Sequence, residues 1–213
     1  KKFKEGDHLG GYDIYSGSKA SCEVITHSFI KSFYRNSNCK IATVRSGNCI
    51  GGGDWTKDRI VKDCAESFIF NKKIFIRSPK ASRPWQHVIE PIFGYLKLAQ
   101  KLYKNKTFVG EWNFGPNIKN NMRVIDVARF GKKYLNSKSK IAFTPKSHYE
   151  SEHLSLDSSK VAKLLKWKTH LKSKEALALS FDWYKFFYKN KNKKKLIELS
   201  FKQINNYQKK YFI

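Results

Sequence analysis

The stretch GYDIYSGSK, residues 11–19, sets a phenol and an ammonium four positions apart with small residues between them. On a helix, positions i and i+4 share one face, so Tyr15 and Lys19 would stand side by side. A phenol is a poor base at neutral pH, and a neighbouring ammonium favours its phenolate form. Such a pair can act as general acid and base on a hydroxyl or a carbonyl. The spacing alone does not single out catalysis, because an amphipathic surface pair has the same pattern.

The pair needs a helix beneath it. Ile14, Ala20, Val24, Ser28 and Phe29 recur at helical spacing, which predicts a helix over 13–35. IATVRSG (41–47) is β-branched and apolar and reads as a buried strand. NCIGGGDW (48–55) reads as a turn, since three successive glycines preclude regular structure. Helices are expected over 59–70, 89–103, 121–135, 158–167 and 174–188, and strands over 73–77, 111–115, 140–144 and 153–157. SRPWQHV (82–88) is extended, because Pro84 disfavours helix at Arg83. Pro91 falls in a first helical turn, where its missing N–H costs nothing. Ser158 and Ser159 are candidate caps. The alternation of helix and strand predicts an α/β fold with a mainly parallel sheet. A doubly wound nucleotide-binding sheet has about six strands; only 41–46 and 111–114 are assigned to it here, and the other short strands to a smaller domain.

Composition bounds the rest. The 213 residues are 40% hydrophobic and 15% aromatic, enough for a packed core. No run approaches the roughly 20 apolar residues of a membrane span, and KKFKEGDHLGG has no apolar signal core. Cys22, Cys39, Cys49 and Cys64 form no CxxC pair and show no zinc spacing. A cytoplasmic protein with neither metal nor membrane partner is expected. The net charge is +26, from 43 Lys+Arg against 17 Asp+Glu. That excess fits either a nucleic-acid binder or a lysine-coated surface. The excess is spread along the chain, and the run KNKNKKK (189–195) lacks interleaved aromatics. The solvated surface is favoured, no nucleic-acid partner is expected, and an anionic small substrate would suit it.

Three segments in order, GGYD (10–13), GGGDW (51–55) and RPWQHV (83–88), resemble the extended short-chain dehydrogenase/reductase superfamily of sugar-nucleotide epimerases and dehydratases. Within it the likeness is greatest to the CDP-glucose 4,6-dehydratases. The later stretch LSLDSSKVAKLLKWKTHLKSKEALALSFDWY (154–184) resembles that family's C-terminal part. The resemblance implies the C-terminal part of a Rossmann-like doubly wound sheet plus a smaller α/β substrate-binding domain. Residues 1–55 would end the NAD-binding domain. Residues 56–188 would mainly bind the sugar nucleotide, with 89–116 returning to the Rossmann sheet, and 189–213 would form a basic tail. The family's GxxGxxG turn holds the cofactor pyrophosphate at a helix N-terminus. No such turn precedes Tyr15, and the first residue is not methionine, so the chain is expected to be a C-terminal fragment that is inactive alone. Gly47–Gly53 is not that turn: it follows the tyrosine helix and has no acidic ribose partner about twenty residues on.

The resemblance also assigns roles. Tyr15 and Lys19 would be catalytic and would contact NAD, with the lysine donating to ribose hydroxyls. Ser46 and Gly47 would approach the nicotinamide, and Asn48 the sugar-nucleotide phosphate. Arg83 would clamp the diphosphate, for which a planar guanidinium is suited. Arg59 would be a second nucleotide contact and Glu150 a substrate contact. Ile60, Ile74 and Ile76 would flank the base or belong to the core. His87 reads as structural, and FDWYKFF (181–187) as packing. The implied reaction turns CDP-glucose into CDP-4-keto-6-deoxyglucose, by transient oxidation at C4, loss of water across C5 and C6, and hydride return to C6. A homodimer is expected by the same likeness. The alternatives are another sugar-nucleotide dehydratase or epimerase, a basic nucleic-acid-binding module, and a non-catalytic remnant.

Overall fold

The computed structural model describes residues 2–116, 121–144, 155–190 and 192–211. Helix α1 (Ile14–Phe29) starts where Asp13 accepts hydrogen bonds from the Ser16 amide at 2.9 Å and the Ser16 hydroxyl at 2.6 Å. Those bonds hold the Asp13 carboxyl below its usual range and satisfy an amide that the helix leaves unpaired. One π turn, Ile30–Tyr34, extends α1. Then follow β1 (Ala42–Ser46), β2 (Asn48–Ile50), α2 (Ile60–Ile69), β3 (Ile74–Ile76), β4 (Ser82–Arg83) and β5 (Trp85–His87). Next come α3 (Ile89–Lys104), β6 (Gly110–Phe114), β7 (Met122–Arg123), α4 (Val124–Tyr134) and β8 (Ile141–Phe143). Helices α5 (Ser159–Leu165), α6 (Ser173–Asn190) and α7 (Lys193–Tyr211) finish the chain.

Three of the four strand pairs among the described residues are parallel: β1 with β6, β2 with β5, and β3 with β8; β4 and β7 are antiparallel. The two strands assigned to the nucleotide-binding sheet therefore pair with each other, Ala42 opposite Gly110 and Ser46 opposite Phe114. Parallel strands need a long crossover, and α3 lies in the segment between β1 and β6. The fold is mixed α/β with parallel sheets, as the sequence predicted.

The largest core lies among α2, α4 and α6, where Phe68, Val127, Ala128, Leu177 and Phe181 are buried with Ile74 and Ile76 of β3. Ile74 and Ile76 are thus core side chains. A second core, Leu98, Trp112, Phe114, Val161, Leu165 and Trp167, includes β6, α3 and α5. Each such large apolar side chain contributes roughly 1.5–3 kcal/mol on burial.

Four local expectations change. Asn48–Ile50 is a strand, because β5 offers it a parallel edge and the glycines begin only at Gly51. Met122 and Arg123 pair with β4 before α4 begins. Ser158 does not cap α5 with its side chain; its hydroxyl bridges the Gly115 amide at 2.8 Å and the Gly115 carbonyl at 3.1 Å, while Asp157 accepts from the Ser159 amide at 2.8 Å. Of the expected strand 153–157, residues 153 and 154 lie outside the described residues, and Leu156 forms an isolated parallel bridge with Phe3.

The lysine-rich C-terminus is a helix because its inner face docks. Ser200 accepts from the Trp183 indole at 2.9 Å, Gln203 donates to the Leu179 carbonyl at 2.9 Å, and Tyr207 is buried against Phe93. Below Tyr207 sits Glu90, fully buried at the start of α3. Its Oε1 accepts from the His170 and Leu171 amides at 2.5 and 2.9 Å and from the Tyr207 hydroxyl at 3.3 Å. Its Oε2 has no partner among the described residues. Burial pushes the carboxyl up to about 7 against those hydrogen bonds, and Glu175 adds a smaller upward push.

A raised carboxyl means that the folded state holds the proton more tightly than the unfolded chain. Stability from this group is complete below the ordinary carboxyl range and declines as pH rises from about 4.5 through about 7. His170 and Tyr207 face the same carboxylate, so the test is the difference between wild type and Glu90→Gln. In denaturant titrations the wild type should lose on the order of 3 kcal/mol relative to the variant across that window. Parallel pH curves would refute the assignment.

Candidate active site

Tyr15, Lys19 and Glu23 follow one another at i, i+4 and i+8, one stripe of α1. Glu23 fixes where that stripe points. Its carboxylate takes both Nε and Nη2 of Arg45 on β1, the latter at 2.7 Å, and accepts from the Thr43 hydroxyl at 3.3 Å. Arg45 also donates to the Glu5 carbonyl at 3.1 Å. The Arg45 hydrogen bonds hold the Glu23 carboxyl below its usual range, against partial burial. A second tie joins His27 to Glu111 on β6 at 2.5 Å. By contrast α1 buries none of its apolar side chains; Ile14, Val24, Ile25 and Phe29 are all exposed. Polar grips, and not an apolar stripe, seat this helix.

A cavity of about 580 Å³ opens beside this contact. Tyr15, Lys19 and Glu23 line it from α1, and Thr43, Arg45 and Ser46 from β1. Lys19 Nζ stands 5.4 Å from the centre of the Tyr15 ring, and the phenol is 67% exposed. The predicted helix-face pair is therefore formed, with Ser46 at the end of the neighbouring strand. The arrangement sets an acid/base group, a cation and a hydroxyl around one space.

The other expected residues do not line this cavity. Gly47 packs under RPWQHV: a Cβ there would meet the Pro84 carbonyl at 2.9 Å. Asn48 is opposite Trp85 in the β2–β5 register, and Arg83 stands one residue before Pro84, its Nη1 donating to the Ser82 carbonyl at 3.0 Å. Arg59 is apart, paired with Asp54 at 3.5 Å. Glu150 lies outside the described residues. Among the described residues no three His, Cys, Asp or Glu side chains gather as metal ligands.

The rest of RPWQHV is scaffolding. The Trp85 indole donates to the Met122 carbonyl at 2.9 Å, and Gln86 to the Phe114 carbonyl at 2.9 Å. His87 is buried, accepts from the Ile89 amide at 3.4 Å, and is pushed down to about 4 by burial, so it is neutral. GGGDW is clasped by α6. The Tyr184 hydroxyl donates to the Asp54 carbonyl at 2.9 Å and accepts from the Asp54 amide at 3.1 Å, and the Trp55 ring lies 4.6 Å from Phe187. Phe181 and Tyr184 are buried, so FDWYKFF is packing as expected. A Cβ on Gly52 would overlap the Trp183 ring.

Sequence reading missed Glu23, Thr43 and Arg45. A signal existed for Glu23, which continues the Tyr15–Lys19 stripe by one more turn, but nothing local identifies Arg45 as its partner.

Comparison with known proteins extends these observations. No protein-family model matches the chain. UDP-glucose 4-epimerase of Thermotoga maritima, solved with UDP-glucose, superposes with a TM-score of 0.74 over 88% of this chain and 58% of its own, at 16% identity. dTDP-glucose 4,6-dehydratase of Bacillus anthracis, solved with NAD, gives 0.72 over 93% of this chain and 59% of its own, at 19% identity. At such identities these likenesses establish the fold. Fold and sequence together place the chain in the extended short-chain dehydrogenase/reductase superfamily, among the NAD-dependent epimerases and dehydratases. The sequence match is to CDP-glucose 4,6-dehydratase of Salmonella typhimurium, 36% identical over 190 residues, 86% of this chain and 53% of the relative. The chain thus spans about half the length of the curated relative it matches.

Glu23→Ala should leave Arg45 without its carboxylate and cost about 1.5–3 kcal/mol. Amide exchange should accelerate along α1 while the core of α2, α4 and α6 keeps its protection; unchanged α1 protection would show that other contacts seat the helix. Gly52→Ala should cost about 1–3 kcal/mol by overpacking against Trp183. Gly17→Ala, where a Cβ meets nothing within 4 Å, should not destabilise the fold and serves as its control.

Proposed function

We propose that this chain supplies the tyrosine–lysine acid/base pair and the sugar-nucleotide contacts of a dehydratase that converts CDP-glucose to CDP-4-keto-6-deoxyglucose. The observation that carries this reading is the meeting of Tyr15, Lys19 and Ser46 around one cavity. Tyr15 takes the proton of the sugar 4-hydroxyl as C4 becomes a ketone, and Lys19 favours the phenolate that receives it. The ketone acidifies the C5 hydrogen, and water then leaves across C5 and C6. NAD, when bound, would supply the chemistry of a hydride acceptor at C4 and a hydride donor at C6, so the overall change is loss of one water.

The residues present suit one end of that cofactor. Lys19 has donors for ribose hydroxyls, and Ser46 faces the same cavity as Tyr15. No GxxGxxG turn occurs in these 213 residues, so the pyrophosphate is assigned to none of them. Asn48 and Arg83 are assigned to the substrate diphosphate and Arg59 to a second nucleotide contact, with Gly47 bringing the β1–β2 segment against Pro84. Glu150 is kept as a substrate contact. The positive balance of the chain suits a doubly charged substrate of the cytoplasm. The whole enzyme is assigned as a homodimer, which sedimentation at enzyme concentrations would check.

In the full-length protein, Tyr15→Phe should lower kcat by at least about a hundredfold and leave the nucleotide dissociation constant within about twofold, since the phenol acts on the reacting atoms and not on the nucleotide. Undiminished turnover would sink the assignment. Turnover should be greatest with CDP-glucose among the CDP-, dTDP-, UDP- and GDP-sugars; preference for another nucleotide would move the reading to a sister dehydratase or epimerase.

A further inference from the structure

Helix α7 carries a second, partly exposed apolar stripe beside the face that docks. Its inner face, through Leu196, Ser200, Gln203 and Tyr207, sits on α6 and α3. Flanking it, Ile197, Phe201 and Ile204 are 46%, 59% and 39% exposed. These are positions i, i+4 and i+7, so they fall within about 60° of one another on the helix. Lys193 and Lys194 bracket the stripe at its first turn, and Lys202 and Lys209 follow on the exposed side. The helix carries six lysines, at 193, 194, 195, 202, 209 and 210, against one acid, Glu198. At the start of the stripe an aromatic cleft of about 320 Å³ opens between Trp55, Trp183, Phe187, Lys193 and Leu196, with Trp55 46% exposed.

We propose that α7 seats this protein on an anionic phospholipid surface, lying in the plane of the interface. Exposed apolar side chains beside lysines are what such a helix needs: the stripe enters the acyl boundary while the ammonium groups meet lipid phosphates. Tryptophan suits the headgroup level, which gives the cleft at Trp55 a place in the same contact. Charge selects among occupants. A second copy of α7 would bring six lysines against six, with only two acids between them, and repel. A nucleic acid would take the lysines and leave Ile197, Phe201 and Ile204 without a role. Of these three occupants, anionic lipid uses both the apolar stripe and the lysines. No helix among the described residues is long and apolar enough to cross a membrane, so this is docking and not insertion. The proposal does not depend on the catalytic reading.

The test is flotation of the full-length protein with vesicles of phosphatidylglycerol and phosphatidylcholine, against phosphatidylcholine alone. Binding should rise at least about tenfold with the anionic lipid and fall steeply with salt. Phe201→Ser should weaken it at least about tenfold with an unchanged circular dichroism spectrum, and Ile204→Asn serves as the second variant. Lys193→Glu combined with Lys194→Glu should abolish it. Equal affinity for neutral and anionic vesicles, or no affinity, overturns the proposal. So does anionic binding that Phe201→Ser leaves untouched, which is the behaviour of a bare polycation. Single-stranded RNA that displaces the vesicles and ignores Phe201→Ser would assign the lysines to nucleic acid, and a dimer dissolved by Phe201→Ser without vesicle binding would assign the stripe to a second copy.

Discussion

The contact between Glu23 and Arg45 sets the frame for the site. It joins the tyrosine helix to the strand that ends in Ser46, and it is the polar substitute for an apolar seat that α1 lacks. The partners are mostly buried, where a bidentate arginine–carboxylate pair has direction as well as strength. Because Glu23 lies on the same stripe as Tyr15 and Lys19, its grip fixes the rotation of the helix about its axis. A rotation of one residue, about 100°, would carry the phenol away from the cavity.

The second frame is the backbone itself. Parallel pairing of β1 with β6 and of β2 with β5 brings Ser46, Gly47 and Asn48 beside RPWQHV. The close approach at Gly47 lets the two segments touch, and Gln86 threads a hydrogen bond back to Phe114 at the end of β6. Trp85, Gln86 and His87 anchor the segment that carries Arg83. GGGDW is held in the same spirit by Tyr184 and Trp183, across about 130 residues of sequence.

The sequence made the elements legible because periodicity and proline are local signals. Tyr15 and Lys19 could be paired from spacing, and His87 could be read as structural from its place after Trp85 in an extended segment. What was not legible depended on partners far along the chain. Asn48–Ile50 looked like a turn until β5 supplied its edge, and the lysine run hid a helix whose inner face is defined by distant partners, among them Glu90, Phe93, Leu179 and Trp183. The apolar period of α1 announced a helix, yet its large apolar side chains Ile14, Val24 and Phe29 are exposed. Periodicity tells that a helix has an apolar side and is silent on what meets it.

The carboxylates are few, 17 against 43 basic groups, and those described here are almost all committed to architecture. Asp13 opens α1, Glu23 holds β1, Asp157 steadies α5, Asp126 pairs with Arg123, and Asp182 accepts the Tyr134 hydroxyl. Negative charge is the limiting reagent of this fold, and positive charge is in excess at its surface. The fold therefore has a lopsided tolerance of drift: exchanging a solvated surface lysine that holds no partner for another polar residue changes its stability little, whereas exchanging one acid removes a joint. A lineage under pressure toward lysine-rich codons could coat this scaffold with cations almost without limit, provided that its handful of acids stayed where they are.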